Sequence, residues 1–206
     1  MKTRSILLSV VLVVAIIQQG YSQLSKGSFL VGGTLSANAT TTRKGQPGEA
    51  TDYVFNVSPD VSYFVMDKLA VGVITPLNYT YDKYGYNDYP TKATTYSIGP
   101  AVRYYFSFGS WAIFPIASYT HGWRKTKYDN SDYDDFAYTL KGKKDTFTGG
   151  VGVAYFLTRS VSLEGVLSYA HSSVSSVNPA FPSAKSKETE TQFNLSVGVQ
   201  VYLFKE

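Results

Sequence analysis

Residues 191–204 read TQFNLSVGVQVYLF. Phe193, Leu195, Val197, Val199, Val201 and Leu203 take every second position, and Gln192, Asn194, Ser196, Gly198, Gln200 and Tyr202 fall between them. Side chains of a strand point alternately to its two faces, so this stretch has one apolar face and one that is small or polar. Strands of soluble sandwiches run to about 5–6 residues, whereas crossing a bilayer takes roughly 9–11 residues of tilted strand. The unbroken alternation from Thr191 to Phe204, ending in aromatics close to the C-terminus, predicts a membrane strand that closes a barrel.

At the opposite end of the chain, Lys2 and Arg4 precede the apolar run Ile6–Ile17, followed by small Gly20 and Ser22. This pattern predicts a secretory signal over residues 1–22, cleaved after Ser22, and one barrel domain over residues 23–206. The chain has no cysteine, which excludes a lipid-anchored cysteine, disulfides and thiolate metal sites. Losing Lys2 and Arg4 takes the formal charge from +4 to +2, too weak a bias to argue for nucleic acid. Past the signal, no apolar run approaches the ~20 residues of a membrane helix.

Seven further stretches alternate in the same way: Lys26–Ala37, Thr51–Val65, Leu69–Tyr81, Ala93–Phe106, Trp111–Trp123, Thr146–Leu157 and Val161–His171. Both faces of Trp111–Trp123 are apolar, which leaves its register open. Short turns are expected at Met66–Lys68, Ser107–Ser110 and Thr158–Ser160, and long polar loops at residues 38–50, 82–92, 124–145 and 172–190. Strict alternation of short and long connections, with an even strand number, is the pattern of outer-membrane barrels. The fold class is therefore all-β, an eight-stranded antiparallel up-and-down transmembrane barrel with both termini in the periplasm. Tyr63, Tyr104, Phe106, Tyr155, Tyr202 and Phe204 at one strand end, with Tyr79 and Tyr81 at the other, are expected to form the two aromatic girdles. Pro59, Pro76, Pro100 and Pro115 fall inside strands, where each removes a ladder donor; they are expected to mark bulges.

The runs SPDVSYFVMDKLAVGV (Ser58–Val73), IGPAVRYYF (Ile98–Phe106) and GVGVAYFLTRSVSLEGVLSYA (Gly150–Ala170) resemble the small outer-membrane β-barrel domain family. These are the porin-family or OmpX-like eight-stranded proteins of Gram-negative cell envelopes. The resemblance covers essentially the whole chain after the signal and implies an outer-membrane barrel with no cofactor and no catalytic signature. The chain departs from the family pattern at Ser62, where glycine is common, and in carrying Lys205-Glu206 after Phe204.

Three places could carry function. By parity, Asp60, Arg103 and Glu164 point into the lumen near the periplasmic end. Charges in so narrow an interior must be paired, so a network of Arg103 with Glu164, joined by Asp60 and bonded by Gln200 and Tyr202, is expected. It is read as a plug that fixes the fold, or alternatively as the gate of an ion path. Inward Gly99, Ala101, Gly150, Gly152, Ala154 and Gly198 leave room for cavities. Second, His171 and Ser173 share a spacing used by lipid A hydrolases of the outer wall, with Glu188 or Glu190 to orient the imidazole. His171 and His121 are more simply interface residues. Third, the loops hold many cations, among them Arg43, Lys44, Lys83, Lys92, Arg124, Lys125, Lys127, Lys141, Lys143, Lys144, Lys185 and Lys187, suited to lipopolysaccharide phosphates. Asp129, Asp132, Asp134 and Asp135 lack the glycine and distant glutamate of a calcium loop, and Tyr84, Tyr86 and Tyr89 with Asn87 suit a recognition surface.

These observations predict a monomeric, non-enzymatic outer-membrane protein with a structural or surface-interaction role through its outer loops. A narrow solute-conducting porin is the first alternative and a lipid A-modifying hydrolase the second.

Overall fold

A computed structural model describes residues 24–43, 49–83, 91–128, 138–178 and 181–203. The predicted signal over residues 1–22, Lys44, Tyr84, Tyr86, Asn87, Tyr89, Asp129, Asp132, Asp134, Asp135 and Phe204 lie outside the described residues, as do the side chains of Arg43, Lys83 and Lys185. The described chain forms β1 (Phe29–Arg43), β2 (Glu49–Met66), β3 (Leu69–Ile74), β4 (Leu77–Lys83), β5 (Thr91–Tyr104), β6 (Phe106–Phe108), β7 (Trp111–Tyr128), β8 (Tyr138–Phe156), β9 (Val161–Asn178) and β10 (Phe181–Leu203). Every pairing is antiparallel, and β1 pairs with β10, from Phe29↔Leu203 to Leu35↔Val197, so the sheet closes on itself. β3 and β4 are two halves of one stave broken at Thr75-Pro76, and β5 and β6 are halves of another broken at Tyr105. The ring therefore has eight staves.

Closure leaves one face outward and one inward, and the two-residue period sorts the side chains between them. The apolar set of the last strand faces out, with Phe193 72% and Leu195 67% exposed, while Gln200 and Tyr202 are buried within. So much exposed apolar surface requires a bilayer around it. The undecided register of the fifth stave is set by its neighbour. Trp111↔Tyr155 and Ile113↔Val153 pair outward, and Phe114 packs inward over Gly152.

Two expectations are corrected. The prolines mark no bulges: Gly33↔Pro59 and Pro115↔Val151 lie in continuous register, and residue offsets are unchanged across Pro76 and Pro100. An antiparallel residue bonds to one neighbouring strand only, so proline removes a single donor while its carbonyl still accepts. Thr75 N–H donates to the Pro59 carbonyl and Ser97 N–H to that of Pro76, both at 2.9 Å. The irregularities fall instead between Phe64 and Met66 and between Phe181 and Lys185.

The long polar loops are also shorter than their polarity implies. β1 runs to Arg43 and β2 begins at Glu49, while β7 and β8 stay paired out to Tyr128↔Tyr138. Apolar alternation stops where lipid stops, but backbone pairing needs no lipid. The barrel wall therefore continues beyond the membrane as a polar collar. At the other end the connections are tight: Asp67-Lys68 joins β2 to β3, with Lys68 at φ 67°, and Gly109-Ser110 joins β6 to β7, with Gly109 at φ 58°.

Candidate functional site

The lumen divides into a filled lower half and an open upper half. In the lower half Arg103 Nη1 lies 3.2 Å from Glu164 Oε2 and Arg103 Nη2 lies 3.2 Å from Asp60 Oδ2. Gln200 Nε2 donates to Asp60 Oδ1 at 2.9 Å, and the Tyr105 hydroxyl to Glu164 Oε1 at 3.4 Å. The expected network thus assembles around one guanidinium between two carboxylates, with residues from β2, β5, β9 and β10. Tyr202 reaches Ser162 Oγ at 3.3 Å.

Around this network lies an aromatic cluster. Phe64, Tyr105, Phe114, Phe156 and Tyr202 are each no more than 5% exposed. Their centroids are 4.8 Å apart for Tyr105–Phe114, 5.9 Å for Phe64–Tyr105 and 5.4 Å for Phe156–Tyr202. The Arg103 guanidinium stands 5.7 Å from the Phe114 centroid, within cation–π range. Gly152 lies directly beneath the Phe114 ring, so the room left by that inward glycine is filled. Leu24 is buried with this cluster at the short-turn end, where Lys68 N–H donates to its carbonyl at 2.7 Å.

Tyr202 is therefore corrected from girdle to plug, being 1% exposed. Aromatics that recur at the short-turn end come as adjacent pairs, and adjacent residues take opposite faces. Tyr63, Tyr104, Phe106 and Tyr155 point out at the membrane interface, while Phe64, Tyr105 and Phe156 turn in. Tyr105 was missed as a network member although parity with Arg103 already placed it inside. At the outer rim Tyr79 and Tyr81 face out as expected, and Tyr169 packs edge-on against Phe193 at 5.1 Å.

Above the plug, a cavity of about 150 Å³ has Asp60 and Arg103 in its floor and walls of Ser36, Asn56, Ser118, Thr148, Ser168 and Asn194. At its upper end the Glu190 carboxylate bridges Arg124 Nη1 at 2.5 Å and Lys144 Nζ at 2.6 Å. This group sits on β10 above Phe193, beyond the apolar belt. Burial pushes the Glu190 carboxyl up, but Lys144 and Arg124 outweigh it and hold it below its ordinary value of 4.5. A depressed carboxylate contributes stability above its unfolded value and loses it as pH falls through the lower folded one. With 37% of that side chain exposed, the contribution is at most about 1 kcal/mol. A side-chain NMR titration should place the Glu190 midpoint below 4.5 in the native protein, and Lys144→Gln should move it upward.

The hydrolase constellation does not assemble. His171 occupies an outward position opposite Phe147 and Thr191, whereas Glu190 faces the lumen and holds two cations. Glu188, two residues away, shares that inner parity. His121 pairs instead with Asp145 at 2.7 Å, and the Tyr119 hydroxyl donates to the same carboxylate at 2.9 Å. Among the described residues no group of three or more potential metal ligands occurs.

A model of the outer membrane protein β-barrel domain matches residues 8–203. A major outer membrane protein from Thermus thermophilus superposes with a TM-score of 0.52 at 13% identity, covering 86% of this chain and 99% of its own. The outer membrane protein OprG from Pseudomonas aeruginosa superposes with a TM-score of 0.52 at 14% identity, covering 89% and 99%. At these identities the likeness is one of fold. Among curated proteins none matches the sequence.

Proposed function

We propose that this chain, which belongs to the outer membrane protein β-barrel domain family, is a non-conducting, non-enzymatic barrel that works at its outward end. It is exported by the signal over residues 1–22 and acts as a monomer in the outer membrane; β1 and β10 complete the ring within one chain, so the wall needs no second copy. The observation that carries this reading is the filled lower lumen. Asp60, Arg103, Glu164 and Gln200 are each 3% exposed or less, and the aromatic cluster closes the lumen beneath the cavity. A continuous aqueous path would have to displace a paired guanidinium and packed rings. The barrel then serves as a rigid support for the polar collar and the hairpin tips beyond it, and its role is structural or one of surface interaction. The outward setting of His171 among residues of the rim, away from Glu190, supports an interface role over a catalytic one.

Single-channel recording in a planar bilayer tests this, with heat-shifted gel mobility as the folding control. The refolded native protein should be silent. Steady discrete openings from protein that passes the gel control would overturn the reading and favour the narrow porin.

A further inference from the structure

Above the apolar belt, the lumen face carries both signs, with Arg124 and Lys144 on Glu190, whereas the outward face is strongly biased to cations. Lys92 on β5, Lys125 and Lys127 on β7, Lys141 and Lys143 on β8 and Lys187 on β10 are all exposed and all occupy outward positions. Register brings them together: Lys92↔Lys127 and Lys125↔Lys141 are directly opposed, and Ser175 separates Lys143 from Lys187. Among the residues whose side chains are described, Asp82, Glu188 and Glu190 of the same region occupy lumen-facing positions. Asp145 does face out, but it is engaged by His121 and Tyr119. None of the ion pairs among the described residues uses any of these six lysines.

A merely solvated face would intersperse its signs, and like charges set directly across a strand pair are unfavourable. Two such pairs side by side call for an anion between them. Neighbouring strands lie about 4.8 Å apart and same-face residues about 6.7 Å apart, so two or three ammonium groups can reach the oxygens of one phosphate. Depth supplies the rest. Trp123 pairs with both Tyr96 and Lys143, which sets the lysines at and just above the aromatic ring that marks the headgroup level. Their alkyl stems can lie along the apolar wall while the charges rise to the headgroups.

We infer that this lysine wall is a docking surface for the phosphorylated headgroups of outer-leaflet lipid. The opposed pair Lys125 and Lys141, flanked by Lys127 and Lys143, forms its centre. The inference adds a partner to the outward end and does not depend on the lumen being closed, so a conducting barrel would leave it standing.

The test uses the full barrel folded in detergent micelles loaded with diphosphorylated lipid A, counting the lipid A that stays with the folded protein after exchange into lipid-free detergent. Three proteins are compared: native, Lys125→Gln with Lys141→Gln, and a charge-matched control, Lys26→Gln with Arg159→Gln, at the short-turn end. Retention should fall roughly tenfold or more in the first variant, stay unchanged in the control and return with Lys125→Arg/Lys141→Arg. Excess inorganic phosphate should not displace the lipid. Equal retention in native and variant, an equal fall in the control, or displacement by inorganic phosphate would overturn the proposal. Heat-shifted mobility confirms that each barrel is folded.

Discussion

Arg103→Ala is expected to destabilise the folded barrel by about 3–5 kcal/mol, read as a lower urea midpoint for loss of heat-shifted mobility in lipid vesicles. The size follows from what is left behind. Arg103 stands between Asp60 and Glu164, at 3.2 Å from each, and both carboxylates are 3% exposed. Removing it strands two negative charges with no other cation paired to either among the described residues. Burying an uncompensated charge is far more costly than the net value of the pair. The control is a neutral set, Arg103→Met with Asp60→Asn and Glu164→Gln, which removes all three charges together. Buried ion networks replaced by neutral groups of similar volume are often close to neutral in stability. The triple variant should therefore be markedly more stable than Arg103→Ala alone. Equal loss in both would mean that packing volume, and not charge pairing, sets the stability of the plug.

Phe114→Ala is expected to cost a similar amount, about 3–5 kcal/mol by the usual range for truncating a buried phenylalanine. Phe114 is fully buried, faces Tyr105 at 4.8 Å and covers Gly152, which has no side chain to refill its volume. The gap would open beside the Arg103 guanidinium, which stands 5.7 Å from the ring. Because the two residues touch, their effects should not add. The double variant with Arg103→Ala should lose less than the sum of the single losses, and a double-mutant cycle measures the difference. Gly152→Phe introduced with Phe114→Ala offers a swap of the large and small partners across β7 and β8. Recovery of part of the loss would show that volume at this position is what matters.

The alternation of Thr191–Phe204 and its seven counterparts was enough to determine a closed membrane barrel and its outward face. A period-two pattern needs no knowledge of neighbours: parity alone sends Leu195 to lipid and Gln200 inward. Parity also brought Asp60, Arg103 and Glu164 to one side of the wall, and the cost of unpaired charge then required that they meet. Three things waited for the tertiary structure. The stretch Trp111–Trp123 is apolar on both faces, so only pairing with β8, where Gly152 leaves room for Phe114, decides which aromatic goes inside. Tyr105 and Tyr202 belong to aromatic clusters at the strand ends, and composition groups such residues while the pleat separates them. The polar collar beyond the belt was invisible for a different reason: strand formation there is driven by ladder hydrogen bonds continuing from an already closed barrel, which leave no hydrophobic period in the sequence. The same continuation lays Lys125 opposite Lys141, an alignment between residues on separate strands that exists only once the barrel has closed.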